Sequence, residues 1–249
     1  MANKKSILQK ISAVSLVCLA LSGCEFAPVP PPPRVSEGPA PKSSDHPEAS
    51  AVRTVTPKGF TDYERAALRV RNVGCGSVSS GSGFAISDHV FVTNRHVVGG
   101  ATILQVSTFD GHDIDVDMAG SVQIADLALV WTDDALPATL SLAPHNPAVG
   151  SNVTAVGFPL GGQLTTTHGK VLGYGPDPIG WSPIPMLLND APIEHGSSGS
   201  PLINDFGQLV GVAYAGDGTD YYAVPIDVLR QVLNEPSSFS RTSSCDGAP

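Results

Sequence analysis

Three short stretches of the chain carry residue types that together can perform acyl transfer. The octet EHGSSGSP (residues 194–201) holds Ser198, the stretch FVTNRHVVGG holds His96, and IADLALV holds Asp126. A serine hydroxyl is a poor nucleophile at neutral pH, and a histidine that accepts its proton during attack overcomes this. That histidine needs a carboxylate on its other nitrogen to stay in one tautomer. We therefore predict Ser198 as nucleophile, His96 as general base and then acid, and Asp126 as the orienting carboxylate.

The octet taken alone resembles an ordinary surface turn, because Gly and Ser are common in loops. Gly196 and Gly199 allow the backbone to turn tightly around Ser198, and the N–H groups of Gly196 and Ser198 are the predicted oxyanion donors. Ser197 and Ser200 are the alternative nucleophiles. Ser198 is favoured over both because it has glycine two residues before it and one residue after it.

The remaining polar clusters point to weaker alternatives. His195 is predicted as a rim residue, with a pH-tuning role as the alternative, since histidine titrates near neutral pH. Asp113, Asp115 and Asp117 alternate along one stretch, which indicates a solvated strand face, with a Ca²⁺ site as the alternative. The sequence has no CxxC pair and no clustered His and Cys spacing, so we predict neither a metal nor a cofactor.

The elements that must position these residues are mostly short strands. From Ser82 onward, strand-sized apolar or alternating runs are separated by Gly, Asp and Asn, in two series joined by the Pro-richer segment DALPATLSLAPHNPAVGS. A capping box at Thr61 and Glu64 predicts a short helix through TDYERAALRV, and PIDVLRQVLN predicts a second helix at the end. The predicted fold is all-β, with two packed antiparallel barrels and short terminal helices.

The N-terminus has the features of a secretory signal, with Lys4, Lys5 and Lys10 preceding a short apolar run that ends in LSGC. This end resembles the lipobox of bacterial lipoproteins, which implies that residues 1–23 are removed and that Cys24 carries the lipid. The alternative is an uncleaved anchor helix. Residues 24–58 are rich in Pro and poor in large apolar residues, which indicates an extended tether.

The charge and the remaining cysteines describe the predicted mature chain. Without residues 1–23 it carries 11 Lys and Arg against 23 Asp and Glu, a net charge near −12, which argues against nucleic acid and anionic headgroups as partners. Cys75 and Cys245 remain in an oxidising compartment, so we predict that they pair, with two free thiols as the alternative.

The motifs TNRHV, DLAL and GSSGSP, with GSGFAIS and VGFPLGG, resemble the chymotrypsin-fold serine proteases of the HtrA branch. This resemblance covers residues 60–235 and implies two six-stranded barrels with the site between them. We therefore expect a protease domain over residues 59–236 and a tail over residues 237–249. The chain also resembles membrane-tethered MarP-type proteases, which pair a cysteine before the first barrel with one near the C-terminus. No PDZ-like domain follows the predicted barrels, so we expect a monomer.

The same resemblance implies a substrate pocket that includes Ala213, Tyr214 and Tyr221. Ala213 replaces a histidine of glutamyl endopeptidases and Tyr221 replaces a common glycine, so we expect a small or medium apolar residue before the cleaved bond. The chain departs from the branch at Ser200, where glycine is usual, and at Ser197, where Asp or Asn is frequent.

The predicted function is a secreted, lipid-anchored serine endopeptidase on the extracytoplasmic side of a bacterial membrane, acting on peptides or proteins. The rival is a binding lipoprotein without catalytic activity on the same scaffold. An esterase of the α/β-hydrolase kind is disfavoured by the His, Asp, Ser order along the chain and by the lack of alternating strands and helices.

Overall fold

A computed structural model describes residues 59–74, 76–122, 125–216, 218–235 and 239–242 of the 249-residue chain. Cys24, Cys75 and Cys245 lie outside these residues, as do the predicted signal and tether, so those predictions stay predictions. The elements are, in chain order, α1 (Asp62–Ala66), β1 (Ala67–Gly74), β2 (Val78–Ser87), β3 (Val90–Asn94), α2 (Arg95–Val98), β4 (Ala101–Thr108), β5 (Asp113–Ile114), β6 (Val116–Val122), β7 (Leu127–Thr132), β8 (Asn152–Gly157), a 3-10 turn (Pro159–Gly161), β9 (Thr165–Gly175), β10 (Met186–Asn189), β11 (Pro201–Ile203), β12 (Leu209–Gly216), β13 (Tyr221–Pro225), α3 (Ile226–Asn234) and β14 (Ser240–Arg241).

The strands form two antiparallel sheets, which confirms the predicted all-β, chymotrypsin-like fold. The second sheet is a closed six-stranded barrel in the order β10-β13-β12-β11-β8-β9. The first is an eight-stranded half-barrel in the order β14-β6-β7-β3-β2-β1-β4-β5. This sheet has two strands more than the predicted six, because β5 and β14, each of only two residues, extend its edges. Residues 134–151, the predicted crossing segment, contain no helix and no strand.

The first helix is shorter than its sequence predicts. The capping box forms as predicted, with Thr61 N–H donating to Glu64 Oε2 (2.7 Å) and Glu64 N–H to Thr61 Oγ1 (3.3 Å). The helix ends at Ala66, and Ala67 and Leu68, which favour a helix by propensity, instead begin β1. Both pair with β2 and are fully buried, so tertiary packing overrides helix propensity here.

The largest buried cluster lies where the two sheets face each other. It joins Phe84 and Leu129 of the half-barrel to Leu209 of the barrel, and α3 adds Ile226 and Leu229. A shared core of this kind fixes the two sheets relative to one another, because close-packed interiors deform little. Within the described residues, no helix is long and apolar enough to cross a membrane.

Candidate active site

Strand pairing brings His96 and Asp126 to one end of the half-barrel. β3 and β7 are antiparallel neighbours, and their pairing places Asn94 opposite Leu127. His96 lies in α2 directly after β3, and Asp126 is the residue directly before β7. The backbone adds two links across this end, since the Asp126 carbonyl accepts from Arg95 N–H (2.9 Å) and from Asn94 Nδ2 (3.2 Å).

The Asp126 carboxylate is buried against the imidazole of His96. Asp126 is 2 % exposed, and its Oδ2 accepts from His96 Nδ1 at 2.6 Å while Oδ1 accepts from the His96 backbone N–H at 3.1 Å. Arg95 Nε lies 3.6 Å from Oδ1 and supplies a positive charge beside this buried anion. Asp126 adopts φ +51°, a left-handed conformation that Asp and Asn tolerate better than other non-glycine residues. The ring is thereby oriented through Nδ1, which leaves Nε2 free for proton transfer.

The turn that carries Ser198 requires both of its glycines. Gly196 and Gly199 have φ of +92° and +88°, as expected for residues that reverse the chain within a few bonds. A Cβ at Gly199 would collide with the backbone carbonyl of Ser82. The turn is attached to β12, because Gly199 N–H donates to the Ala213 carbonyl (2.9 Å) and Ala213 N–H donates to the Ser200 carbonyl (2.8 Å).

His96 and Ser198 line the same cavity, of about 690 Å³. In the described structure no hydrogen bond joins Ser198 Oγ to His96, an arrangement common in enzymes without substrate, where catalytic hydrogen bonds shorten on binding. The two alternative nucleophiles are less accessible, since Ser197 is 5 % and Ser200 is 1 % exposed and neither lines this cavity. His195 is exposed and lines the cavity, as predicted for a rim residue.

The two predicted oxyanion donors have no protein acceptor among the described residues. Neither Gly196 N–H nor Ser198 N–H donates to a described carbonyl or side chain. The carbonyl of His195, which belongs to the same peptide group as Gly196 N–H, accepts from Leu160 N–H at 2.6 Å. Because carbonyl and N–H point in opposite directions across a trans peptide, this bond directs Gly196 N–H away from Leu160.

Of the three predicted pocket residues, Tyr214 lines the cavity and the other two do not. Ala213 is fully buried in the core of the barrel, because alternate residues of β12 point inward. Tyr221 lies beside Gly216, where a Cβ would meet its ring at 2.5 Å, and its hydroxyl donates to the Gly218 carbonyl at 3.3 Å. Ala213 and Tyr221 therefore do not line this cavity, and their part in the substrate pocket stays a prediction. The cavity is also lined by four residues that were not predicted from the sequence: Leu160, Ile179, Trp181 and Ile193.

An aromatic wall covers one side of the imidazole. The Trp181 ring centroid lies 6.4 Å from that of His96 and 6.4 Å from that of Tyr214, both edge-to-face. Trp181 belongs to the segment between β9 and β10, residues 176–185, which we call the Trp181 loop. It remains 52 % exposed, so its indole is available to a substrate. The only sequence signal for it is a lone tryptophan among Pro and Gly, without periodicity.

Asp177 anchors the Trp181 loop. Its carboxylate accepts the backbone N–H groups of Ile179 (2.9 Å), Trp181 (2.8 Å) and Ser182 (2.8 Å), and also the Tyr214 hydroxyl (3.2 Å). Burial alone would raise the pKa of Asp177, but these hydrogen bonds outweigh burial and hold it below its usual value. Burial, with the Asp177 charge, raises the pKa of Tyr214, so its hydroxyl remains a donor at neutral pH.

The side chain at Ser200 fits although it replaces the usual glycine. Among the described residues only Asp126 and Leu160 are non-glycine with positive φ, so Ser200 has no left-handed strain. Its Oγ is buried with no protein partner, and a Cβ at Gly157 would collide with it.

The predicted metal-binding alternative gains no support. Asp113, Asp115 and Asp117 are all exposed and lie on and between β5 and β6 rather than on one strand face. Within the described residues, no three His, Cys, Asp or Glu side chains are grouped so as to hold a metal ion.

Comparison with known proteins identifies the family. Residues 81–212, just over half of the chain, match the family model described as a trypsin-like peptidase domain. The chain belongs to this family. The matched region contains His96, Asp126 and Ser198, together with most of β2, all of β3 to β11 and part of β12.

Relatives of this trypsin-like peptidase are bacterial serine endoproteases. The chain is 36% identical over 166 residues to the "Probable periplasmic serine endoprotease DegP-like" of Hahella chejuensis, covering 63% of the chain and 35% of that protein. It is 31% identical over 169 residues to serine endoprotease DegS of Escherichia coli K12, covering 66% of the chain and 45% of that protein. The chain thus spans less than half the length of these curated relatives.

One solved protease structure is similar to this chain over nearly the whole length of the solved chain. The Rv3671c protease of M. tuberculosis in its active form superposes with a TM-score of 0.65 at 25% identity, over 88% of this chain and 97% of that one. The likeness agrees with the two-sheet architecture and excludes the α/β-hydrolase alternative.

Proposed function

We propose that this trypsin-like peptidase is a serine endopeptidase that uses His96, Asp126 and Ser198 as a catalytic triad. The observation that carries the proposal is the 2.6 Å contact of the buried Asp126 carboxylate with His96 Nδ1, on the ring that shares a cavity with Ser198. A buried carboxylate held against one imidazole nitrogen leaves the other as the base, which is the arrangement a serine nucleophile needs.

The reaction follows from these positions. His96 Nε2 accepts the Ser198 proton as Oγ attacks the substrate carbonyl, and the developing oxyanion accepts from the N–H groups of Gly196 and Ser198. His96 then protonates the leaving amine, so the peptide bond breaks and an acyl ester remains on Ser198. A water activated by His96 attacks this ester, and the proton returns to Ser198 as the acid product leaves. Asp126 keeps the imidazolium oriented and stabilised throughout. No metal or organic cofactor enters these steps.

For the residue that precedes the cleaved bond, we propose a small or medium apolar side chain. Ile193, Ala215 and Gly216 line the cavity near Ser198 and offer apolar surface with little bulk. Cleavage-site profiling of a proteome-derived peptide library tests this directly, and a profile dominated by Arg, Lys or Glu at this position contradicts it.

We further propose that the enzyme acts outside the cytoplasm as a monomer anchored by a lipid on Cys24. The LSGC end of the apolar run and the periplasmic relative support this location. Cys24→Ala should release the protein from the membrane fraction and abolish incorporation of labelled palmitate. Membrane retention of Cys24→Ala without label would favour an uncleaved anchor helix instead.

A fluorophosphonate probe tests the catalytic proposal. Wild type should label covalently and cleave peptides, Ser198→Ala should do neither, and Ser197→Ala should retain both because Ser197 lies outside the cavity. Absence of wild-type labelling across a wide pH range would favour a binding protein on a peptidase scaffold. Equal labelling of Ser198→Ala would place the nucleophile elsewhere.

A further inference from the structure

Ser82 is a residue of the half-barrel that lies directly against the turn carrying Ser198. It belongs to β2 and is fully buried. Its backbone N–H donates to the Ser198 carbonyl at 2.8 Å, and its own carbonyl accepts from Thr93 Oγ1 at 2.6 Å. Its side-chain Oγ donates to the Gly196 carbonyl at 2.8 Å and accepts from Phe158 N–H at 2.9 Å. Every polar group of Ser82 is therefore occupied, and two of its bonds end on the nucleophile turn.

The second segment in contact with Gly196 is the turn at residues 158–161. Leu160 N–H holds the His195 carbonyl at 2.6 Å, and Leu160 does so with φ +56°, a conformation rare for a branched apolar residue. The fit around Gly196 is close, since a Cβ there would lie within 3 Å of Leu160 N, Phe158 O and Gly161 N. Strain of this kind persists only where the surroundings fix the conformation.

Both peptide groups of Gly196 are thus held by hydrogen bonds to their carbonyls. Leu160 fixes the peptide that carries Gly196 N–H, and Ser82 Oγ fixes the next peptide along the chain. The same Ser82 hydroxyl accepts from Phe158 N–H, so it joins the turn at 158–161 to the Gly196 carbonyl. Rotation of Gly196 N–H out of the site would break the bond from Leu160, and Ser82 restrains the neighbouring peptide, which carries Ser197 N–H, about which such a rotation would have to turn.

We propose that Ser82 is a positioning residue for catalysis: from the opposite sheet it holds the Gly196 and Ser198 carbonyls, and so fixes the two peptides that adjoin those carrying the oxyanion donors of Gly196 and Ser198. The proposal rests on the proposed serine endopeptidase function. Ser82 does not touch the reacting atoms. It acts because donors stabilise a developing oxyanion best when they are already oriented, without reorganisation during the reaction.

The size of the effect follows from what Ser82→Ala removes. The variant retains the backbone bond to Ser198 but leaves the Gly196 carbonyl and Phe158 N–H without their shared partner. Removal of one oxyanion donor outright costs about 100- to 1000-fold in kcat. Ser82→Ala only loosens the donors, so we expect kcat to fall by about 10- to 100-fold while KM stays within about twofold.

A transition-state analogue separates positioning from substrate binding. A peptidyl boronate forms a tetrahedral adduct with the nucleophile and presents an oxygen to the donors, whereas the corresponding peptide acid does not. For Ser82→Ala, boronate affinity should fall by the same factor as kcat, and peptide-acid affinity should not change. Ser79→Ala, at an exposed position of the same strand, should match wild type in every measurement.

Two further variants guard against a simple folding defect. Thr93→Val keeps the side-chain shape and removes the bond to the Ser82 carbonyl, so it should lower stability while kcat stays within about threefold. Ser82→Cys keeps a weaker hydrogen-bonding group of similar size, and it should fold and retain more kcat than Ser82→Ala. If Ser82→Ala does not fold, the affinities for boronate and peptide acid are compared between wild type and Ser82→Cys instead.

Four outcomes would overturn the proposal. A folded Ser82→Ala with wild-type kcat and reduced stability would limit Ser82 to joining the two sheets. If Ser82→Ala raises KM instead of lowering kcat, or weakens the affinity for boronate and peptide acid equally, Ser82 contributes to substrate binding. If the wild-type protein neither labels with fluorophosphonate nor cleaves peptides, both the proposed function and this inference are wrong. If wild type and Ser82→Ala label equally, only the inference is wrong.

Discussion

Replacement of Asp126 by asparagine changes hydrogen bonding at His96 with almost no change in shape. The carboxylate accepts two bonds, Oδ1 from His96 backbone N–H (3.1 Å) and Oδ2 from Nδ1 (2.6 Å). An amide offers one oxygen and an NH₂ group that only donates. Because the backbone N–H also only donates, the amide oxygen must take the Oδ1 position and the NH₂ must face Nδ1. The ring then carries its proton on Nε2, the nitrogen that has to accept the proton of Ser198.

The expected loss is about 10⁴-fold in kcat, the cost of the wrong tautomer in an otherwise intact triad. This corresponds to about 5.4 kcal/mol of transition-state stabilisation. The fold should survive, because asparagine tolerates the left-handed φ of +51° at this position and the backbone bonds from Arg95 and Asn94 do not involve the carboxylate. The melting temperature should therefore change far less than the rate.

Steady-state cleavage of a fluorogenic peptide measures this, with the fluorophosphonate labelling rate as a second readout. Asp88→Asn is the matched control, since Asp88 is an exposed aspartate in the turn between β2 and β3 that does not line the cavity. It should behave as wild type. Asp126→Asn with more than a tenth of wild-type kcat would refute the reasoning, because the imidazole would then be oriented by something other than this carboxylate.

Three further predictions concern the surroundings of the site. Ser200→Ala removes a buried hydroxyl that has no protein partner and should raise the free energy of unfolding in urea by about 1 kcal/mol; a decrease would mean that the hydroxyl is hydrogen-bonded in solution. Gly157→Ala should lower it by about 1–3 kcal/mol through overpacking against Ser200 and Ser82, and Ser200→Gly in the same chain should restore part of that because the contact with Ser82 remains; no restoration would contradict the predicted collision with Ser200. Because folding lowers the pKa of Asp177, its ionised carboxylate stabilises the fold at pH values above 3.8, the ordinary pKa of the group. This contribution is lost as the pH falls through the pKa of the folded state. In a Trp131→Phe background, Trp181 fluorescence should change over that acidic range in the wild-type loop but not with Asp177→Asn, and identical pH profiles would exclude Asp177 as the anchor.

The sequence predicts what local chemistry determines. Alternating apolar residues predict the strands, a capping box predicts the start of α1, and two glycines around Ser198 predict a tight turn, which the left-handed φ of Gly196 and Gly199 bears out. The position of His96 after a strand and Asp126 before another is also readable from the pattern, because both follow from where apolar runs begin and end.

Contacts between distant segments are not predictable in this way. Ser82 and Gly196 are 114 residues apart, and nothing in the small polar residue at position 82 indicates that its hydroxyl meets a carbonyl of the other sheet. Trp181 lies in a loop without periodicity, so its place beside His96 depends on the bonds to Asp177. The end of α1 was mispredicted for the same reason, because the pairing of Ala67 with β2 decides it.

The division of the site between two sheets explains why such contacts matter. His96 and Asp126 come from the half-barrel, while Ser198 and Gly196 come from the second barrel, so no single sheet holds the proposed machinery. Their relative position depends on the shared core and on Ser82, whose hydrogen bonds to the nucleophile turn come from the half-barrel. A displacement of about 1 Å between reacting groups can cost 100-fold in rate. Loosening this junction should therefore reduce kcat well before either sheet loses its own hydrogen bonds.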